Sequence, residues 1–171
     1  MYQYHSGLTA THPYASWWWE WPFMKRPVWY FSGRSIMPAG EVSTISAFGN
    51  PVLWWGGIFA VIGAIYFSLK RKDSRMYIVW IAYLSQYVPW MLVPRVTFLY
   101  HYFAMVPFMI ISIVYMMKLL DEKWPQWKPV RNLYIAAAVV MFILFYPVLS
   151  GMTVSQNYVT YVLRWFDTWV F

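Results

Sequence analysis

The sequence predicts an all-α integral membrane protein with four transmembrane helices and aromatic segments lying at the membrane surface. Three observations predict it. Hydrophobic residues make up 61% of the chain and charged ones only 11%, a balance that belongs to polytopic membrane proteins. Four apolar runs are each long enough to cross the hydrocarbon layer, which takes about 20 helical residues. The basic residues gather in short stretches beside those runs, so the net charge of +7 reads as membrane orientation and not as a nucleic-acid surface. The chain has no cysteine, which excludes disulfides, thiolate nucleophiles and thiolate metal sites.

Residues 1–49 read as an external aromatic segment. They have no basic start followed by an apolar stretch and a small-residue cleavage site, so they are not a signal peptide. Trp17, Trp18, Trp19, Trp21, Trp29, Tyr30 and Phe31 alternate with Glu20, Lys25 and Arg26, the make-up of a strip seated among lipid headgroups. Pro22 and Pro27 forbid one long helix. Residues 32–49 are small and polar and read as a loop.

The first span, 50–69, opens at Asn50-Pro51, where Asn can cap free amides and Pro fits the first turn. Gly56, Gly57 and Gly63 predict close approach of a neighbouring helix. The second span, about 76–93, contains Pro89, which frees the Ser85 carbonyl and predicts a kink. Tyr83, Gln86, Tyr87 and Trp90 share one of its faces. The third span, 98–120, has Pro107 in its outer half. The fourth covers about 133–149, and residues 150–171 form a second external aromatic tail.

Orientation follows from charge. Lys70, Arg71, Lys72 and Arg75 follow the first span, and Lys118, Lys123, Lys128 and Arg131 surround the end of the third, which predicts that these two loops are cytoplasmic. The N-terminal segment, the bend at Arg95 and the tail then share the outer side. That topology takes Lys25, Arg26 and Arg34 across the membrane with no leader, so further spans are expected upstream, odd in number for a cytoplasmic N-terminus.

The bend between the second and third spans carries the candidate site. Arg95, His101 and Tyr102 lie there at the outer surface, where ionisable groups need a reason, and they suit an anionic lipid-linked substrate. A guanidinium makes paired charge-assisted bonds to phosphate, and it also snorkels to ordinary headgroups. His101 and Tyr102 can bond a phosphate or sugar, or anchor in the aromatic belt. Asp121-Glu122 is the only adjacent acidic pair, but it lies on the cytoplasmic side among lysines and reads as a solvated cluster. His5 and His12 lack a helical His-Glu pattern, so no metal is expected. No residue here is assigned a catalytic role.

Several stretches together carry a family resemblance: HPYASWWWEWP from His12, NPVLWW from Asn50, QYVPWMLVPR from Gln86, FLYHY from Phe98, Pro107-Phe108, and YPVLSG from Tyr146. In this order they resemble the C-terminal four-span region of protein O-mannosyltransferases. The resemblance implies a GT-C-type membrane fold and transfer of mannose, with inversion, from a polyprenyl or dolichyl phosphate carrier to Ser or Thr of exported proteins. It implies no cofactor, since the lipid-phosphate-mannose is the donor substrate. The family's acidic pair belongs to an upstream external loop, so the fragment alone is expected to be inactive and to need the N-terminal part of the enzyme. The expected location is the plasma membrane in a prokaryote, with the C-terminus outside. A non-catalytic four-helix subunit that binds a lipid carrier or a separately encoded catalytic half stays open. A channel is weaker, because only Gln86 and His101 are polar groups inside the expected spans.

Overall fold

A computed structural model describes residues 11–171. Four helices run up and down, with short connections after the first and third and a longer bend after the second: α1 (Pro51–Arg71), α2 (Ser74–Tyr87), α3 (Val106–Lys123) and α4 (Lys128–Ser150). Asn50 caps α1 as its sequence implies, accepting bonds from the Val52 and Leu53 amides at 3.1 and 3.3 Å. Lys72 closes α1 in the left-handed conformation, at φ 57°. Gly151 closes α4 the same way, at φ 79°.

The helices pack through small residues. A side chain at Gly57 would run into Met109, and one at Gly63 would meet Met116, so α1 lies against α3 along its length. Arg71 reaches Glu122 at 3.3 Å at the far end of the same contact. The opposite faces stay apolar and open. Phe59, Ile62, Ile78, Val114, Ile143 and Leu133 are all exposed, which suits a lipid surround.

Among the described residues, three helical stretches are long and apolar enough to cross a membrane: Pro51–Arg71, Leu99–Lys123 and Pro125–Ser150. The second expected span differs. Its α-helix ends at Tyr87, and Pro89 carries it into a 3-10 turn over Val88–Leu92. Arg75, Ser85 and Gln86 leave the stretch less apolar than its neighbours. The third expected span also opens as a 3-10 turn, Leu99–Met105, and becomes α-helical where Pro107 fits the first turn. The fourth starts earlier than expected, at Lys128, because Arg131 pairs with Asp121 and lets charged residues sit inside its first turns.

α4 is offset toward the end where α1 begins. The Asn50 amide donates to the Ala138 carbonyl at 2.8 Å, which sets the start of α1 level with the middle of α4. The upper turns of α4 are therefore covered by protein. Phe145 stacks on Phe48 at 4.9 Å and meets Trp169, while the Tyr158 hydroxyl bonds the Leu144 carbonyl at 2.7 Å. Burial raises the pKa of Tyr158.

Residues 32–49 are not the plain loop their composition implies. β1 (Val28–Ser32) pairs antiparallel with β3 (Thr44–Ala47), with an irregularity at Tyr30, and β2 (Glu41–Val42) pairs with β4 (Val154–Ser155). The first pair folds the N-terminal segment on itself, and the second ties it to the C-terminal tail. Trp169 Nε1 donates to the Met24 carbonyl at 2.8 Å, and the Ser43 hydroxyl donates to the Gly151 carbonyl at 2.8 Å. One end of the molecule is thus an aromatic cap, and the other holds the charged loops. There Arg75 bonds hold the Asp73 carboxyl below its usual range.

Candidate functional site

The bend between α2 and α3 is built against the N-terminal segment. The Ser16 amide donates to the Thr97 carbonyl at 2.9 Å, and the Thr97 hydroxyl donates back to the Ser16 carbonyl at 2.7 Å. Trp21 Nε1 fixes Ser16 from beneath, bonding its hydroxyl at 3.1 Å. The Tyr87 hydroxyl donates to the Trp18 carbonyl at 2.9 Å. Trp21 itself is fully buried against Tyr87, Trp90 and His101. Aromatic contacts of this kind add about 0.5–1.5 kcal/mol each beyond the area they bury, so the junction is a firm one.

Between the two walls lies a cleft of about 320 Å³, lined by His12, Trp17, Arg26, Pro94, Arg95 and Thr97 among others. Arg26 and Arg95 are both exposed into solvent-facing space there. His12 Nδ1 accepts from the Tyr14 amide at 3.2 Å, and its ring meets Phe98 edge-on at 5.0 Å.

The three residues singled out from sequence take three depths. Arg95 lines the cleft. His101 sits one layer in, 4.2 Å from the Trp90 ring and 4.6 Å from Tyr100, with Nδ1 2.8 Å from the Phe98 carbonyl and 3.1 Å from the Phe98 amide. Tyr102 is fully buried, with its hydroxyl 2.6 Å from that of Tyr83 and 3.9 Å from Met109 Sδ. The cleft brings Arg95 together with Arg26, His12 and Thr97, which sequence reasoning did not group with it. Thr97 is a near neighbour of Arg95 in the chain, but Arg26 and His12 lie 69 and 83 positions before it, and no local pattern links them; the wedge of tryptophans around Trp21 was the one signal that this segment docks somewhere.

The carboxylates lie elsewhere. Asp121 pairs with Arg131, and Glu122 with Arg71 and Lys118, all at the charged end. Glu20 is buried, held by Lys25 at 2.6 Å and by the Trp17 amide at 2.8 Å. It borders a second, larger apolar cavity of about 1080 Å³ between Trp19, Phe23, Trp55, Phe59 and Phe166. Among the described residues no group of three or more His, Asp or Glu could hold a metal ion, and His5 lies outside them.

A cap of aromatic rings at one end, a basic cleft in it and apolar helices below together define a multi-pass membrane protein. Residues 1–169 match the family described as the C-terminal four TMM region of protein-O-mannosyltransferase, and the chain belongs to that family. It is 28% identical to the polyprenol-phosphate-mannose–protein mannosyltransferase of Mycolicibacterium smegmatis, over 98% of this chain and 36% of that relative. The Mycobacterium tuberculosis protein of the same name, strain H37Rv, is also 28% identical, over 98% of this chain and 35% of its own length. Dolichyl-phosphate-mannose–protein mannosyltransferase 5 of Candida albicans is 23% identical over 99% of this chain and 26% of its own. The chain therefore spans about a third of the length of its bacterial relatives. The fold matches the S. cerevisiae protein O-mannosyltransferase Pmt1-Pmt2 complex bound to the sugar donor, with TM-score 0.82 over 99% of this chain and 25% of that one, at 18% identity. The GT-C-type membrane fold implied by the resemblance is borne out.

Proposed function

We propose that this chain works as the C-terminal membrane part of a glycosyltransferase that moves mannose from a polyprenyl or dolichyl phosphate carrier to Ser or Thr hydroxyls of exported proteins. The observation that carries the reading is the position of Arg95 on a cleft in the aromatic cap, in a chain whose family and relatives are protein mannosyltransferases. In this reading Arg95 pairs with the carrier phosphate, which favours a planar guanidinium. His101 holds the turn behind it and presents its remaining nitrogen. Tyr102 acts as a positioning residue, through the hydroxyl pair with Tyr83. No cofactor is needed, because the sugar is already activated on its phosphate. The proton chemistry falls to carboxylates of the rest of the enzyme, and this part alone is inactive.

The aromatic cap and the C-terminus face outward, and the loops around Lys72 and Lys123 face the cytoplasm, as the placement of basic residues favours. In a prokaryote the membrane is the plasma membrane. Membrane lipids, the exported acceptor and the N-terminal part of the enzyme are the partners, and a second subunit fits the paired arrangement named for the yeast structure.

The test is donor kinetics of Arg95→Ala in the protein purified at the length its gene encodes. The Michaelis constant for the lipid donor should rise about tenfold, the value of one lost charge-assisted bond, with membrane abundance unchanged. An unaltered donor dependence sinks the assignment of Arg95.

A further inference from the structure

We propose that Arg26 is the second cation of the cleft, and that Arg26 and Arg95 together hold the carrier phosphate more tightly after it has lost its sugar than before. This rests on the reading of the cleft as the site of the carrier phosphate.

The chain has six carboxylates. Four are paired with cations: Glu20 with Lys25, Asp73 with Arg75, Asp121 with Arg131, and Glu122 with Arg71. The other two, Glu41 and Asp167, do not line the cleft, and residues 1–10 contain no acid. Two guanidiniums therefore line one small cleft with no carboxylate on its walls. Among the described residues Arg26 makes a single hydrogen bond, at the limit of such contacts, 3.5 Å from the Pro13 carbonyl. A guanidinium cannot shed its proton to relieve repulsion from its neighbour. The charge that balances the pair comes from an anion in the cleft.

The two cations are also brought together deliberately by the fold. Arg26 comes from the N-terminal segment and Arg95 from the bend, and the reciprocal Ser16–Thr97 bonds lock one to the other. Preorganised charge of this kind acts on charge that develops during reaction.

The carrier's charge does change. The donor head is a phosphodiester with one negative charge. In transfer the bond between the sugar's anomeric carbon and the phosphate oxygen breaks, and its electron pair stays on that oxygen. The acceptor hydroxyl oxygen forms the new bond to the anomeric carbon, and its proton passes to a carboxylate base. The carrier leaves as a monoester with about −1.5 to −2 charges. One arginine balances the donor; the second finds its full counter-charge only as the leaving group forms. An interaction that strengthens toward the transition state raises turnover instead of merely lowering the Michaelis constant.

The experiment measures binding of polyprenyl phosphate and polyprenyl phosphate mannose to the protein at its encoded length, in nanodiscs of neutral phosphatidylcholine. Inorganic phosphate and phosphatidylglycerol nanodiscs serve as competing anions. Arg26→Gln should weaken polyprenyl phosphate about tenfold and the mannosylated donor by less than about threefold. Arg26→Lys, which keeps the charge, should recover part of the loss, and Arg95→Gln should weaken both ligands. Equal weakening of the two by Arg26→Gln, or none, overturns the inference. So does competition by phosphatidylglycerol as strong as by polyprenyl phosphate, which would make the cleft a general headgroup site, or equal affinity for inorganic phosphate. A protein that shows the split but transfers no mannose keeps the cleft assignment and refutes the enzymatic reading, whereas transfer without the split does the reverse.

Discussion

Asn50 joins two helices with one side chain. Its carbonyl oxygen caps α1, and its amide nitrogen bonds the Ala138 carbonyl of α4. Asn50→Ala removes both and should lower stability by about 1–2 kcal/mol, read as a lower melting temperature in nanodiscs; Asn50→Asp keeps the cap and should retain roughly half. Gly57 is as demanding, since Met109 occupies the space of a side chain there. Gly57→Val should cost about 1–3 kcal/mol by forcing α1 from α3, whereas the same change at exposed Phe59 should cost little. Both residues were legible in sequence, Asn50 by its cap pattern before Pro51 and Gly57 by the small-residue run. Tyr102 was only half legible. Its neighbours on the bend suggested a surface residue, but the 3-10 turn rotates it into the core against Tyr83.

The helices α1, α3 and α4 were readable because a long apolar run leaves few alternatives. The short strands were not. β2 and β4 are two residues each and pair across more than a hundred positions, so no periodicity marks them. The offset of α4 toward the start of α1 was equally hidden, because it depends on which residue of one helix meets which of another. The acidic pair at the end of α3 gives a clean prediction. Asp121→Asn with Glu122→Gln should leave mannose transfer within about twofold, and Glu122→Gln alone should lower stability by less than about 1 kcal/mol, as its exposed ion pairs contribute little. A large loss of transfer with the fold intact would move the chemistry to the other end of the molecule.

The whole molecule sorts its residues by end: the tryptophans of the terminal segments, Arg26 and Arg95 at one, Lys70, Lys72, Lys123 and Lys128 at the other. That sorting was legible in sequence because it is set by composition along the chain. The cleft was not, since it exists only where segments far apart in sequence are clamped by Ser16 and Thr97. The absence of native cysteine allows a direct check of sidedness. Ser155→Cys should react with a membrane-impermeant maleimide on intact cells, and Lys72→Cys only after permeabilisation; the opposite pattern would invert the topology.

Transfer itself is the decisive measurement. The protein purified at its encoded length, in nanodiscs, is given polyprenyl phosphate mannose labelled in the sugar and a Ser/Thr-rich peptide. Labelled mannose should appear on peptide hydroxyls, with its anomeric configuration inverted from the donor, and fall sharply with Arg95→Ala. No transfer from the lipid donor by intact, folded protein would contradict the enzymatic reading and leave a membrane subunit without catalysis in its place.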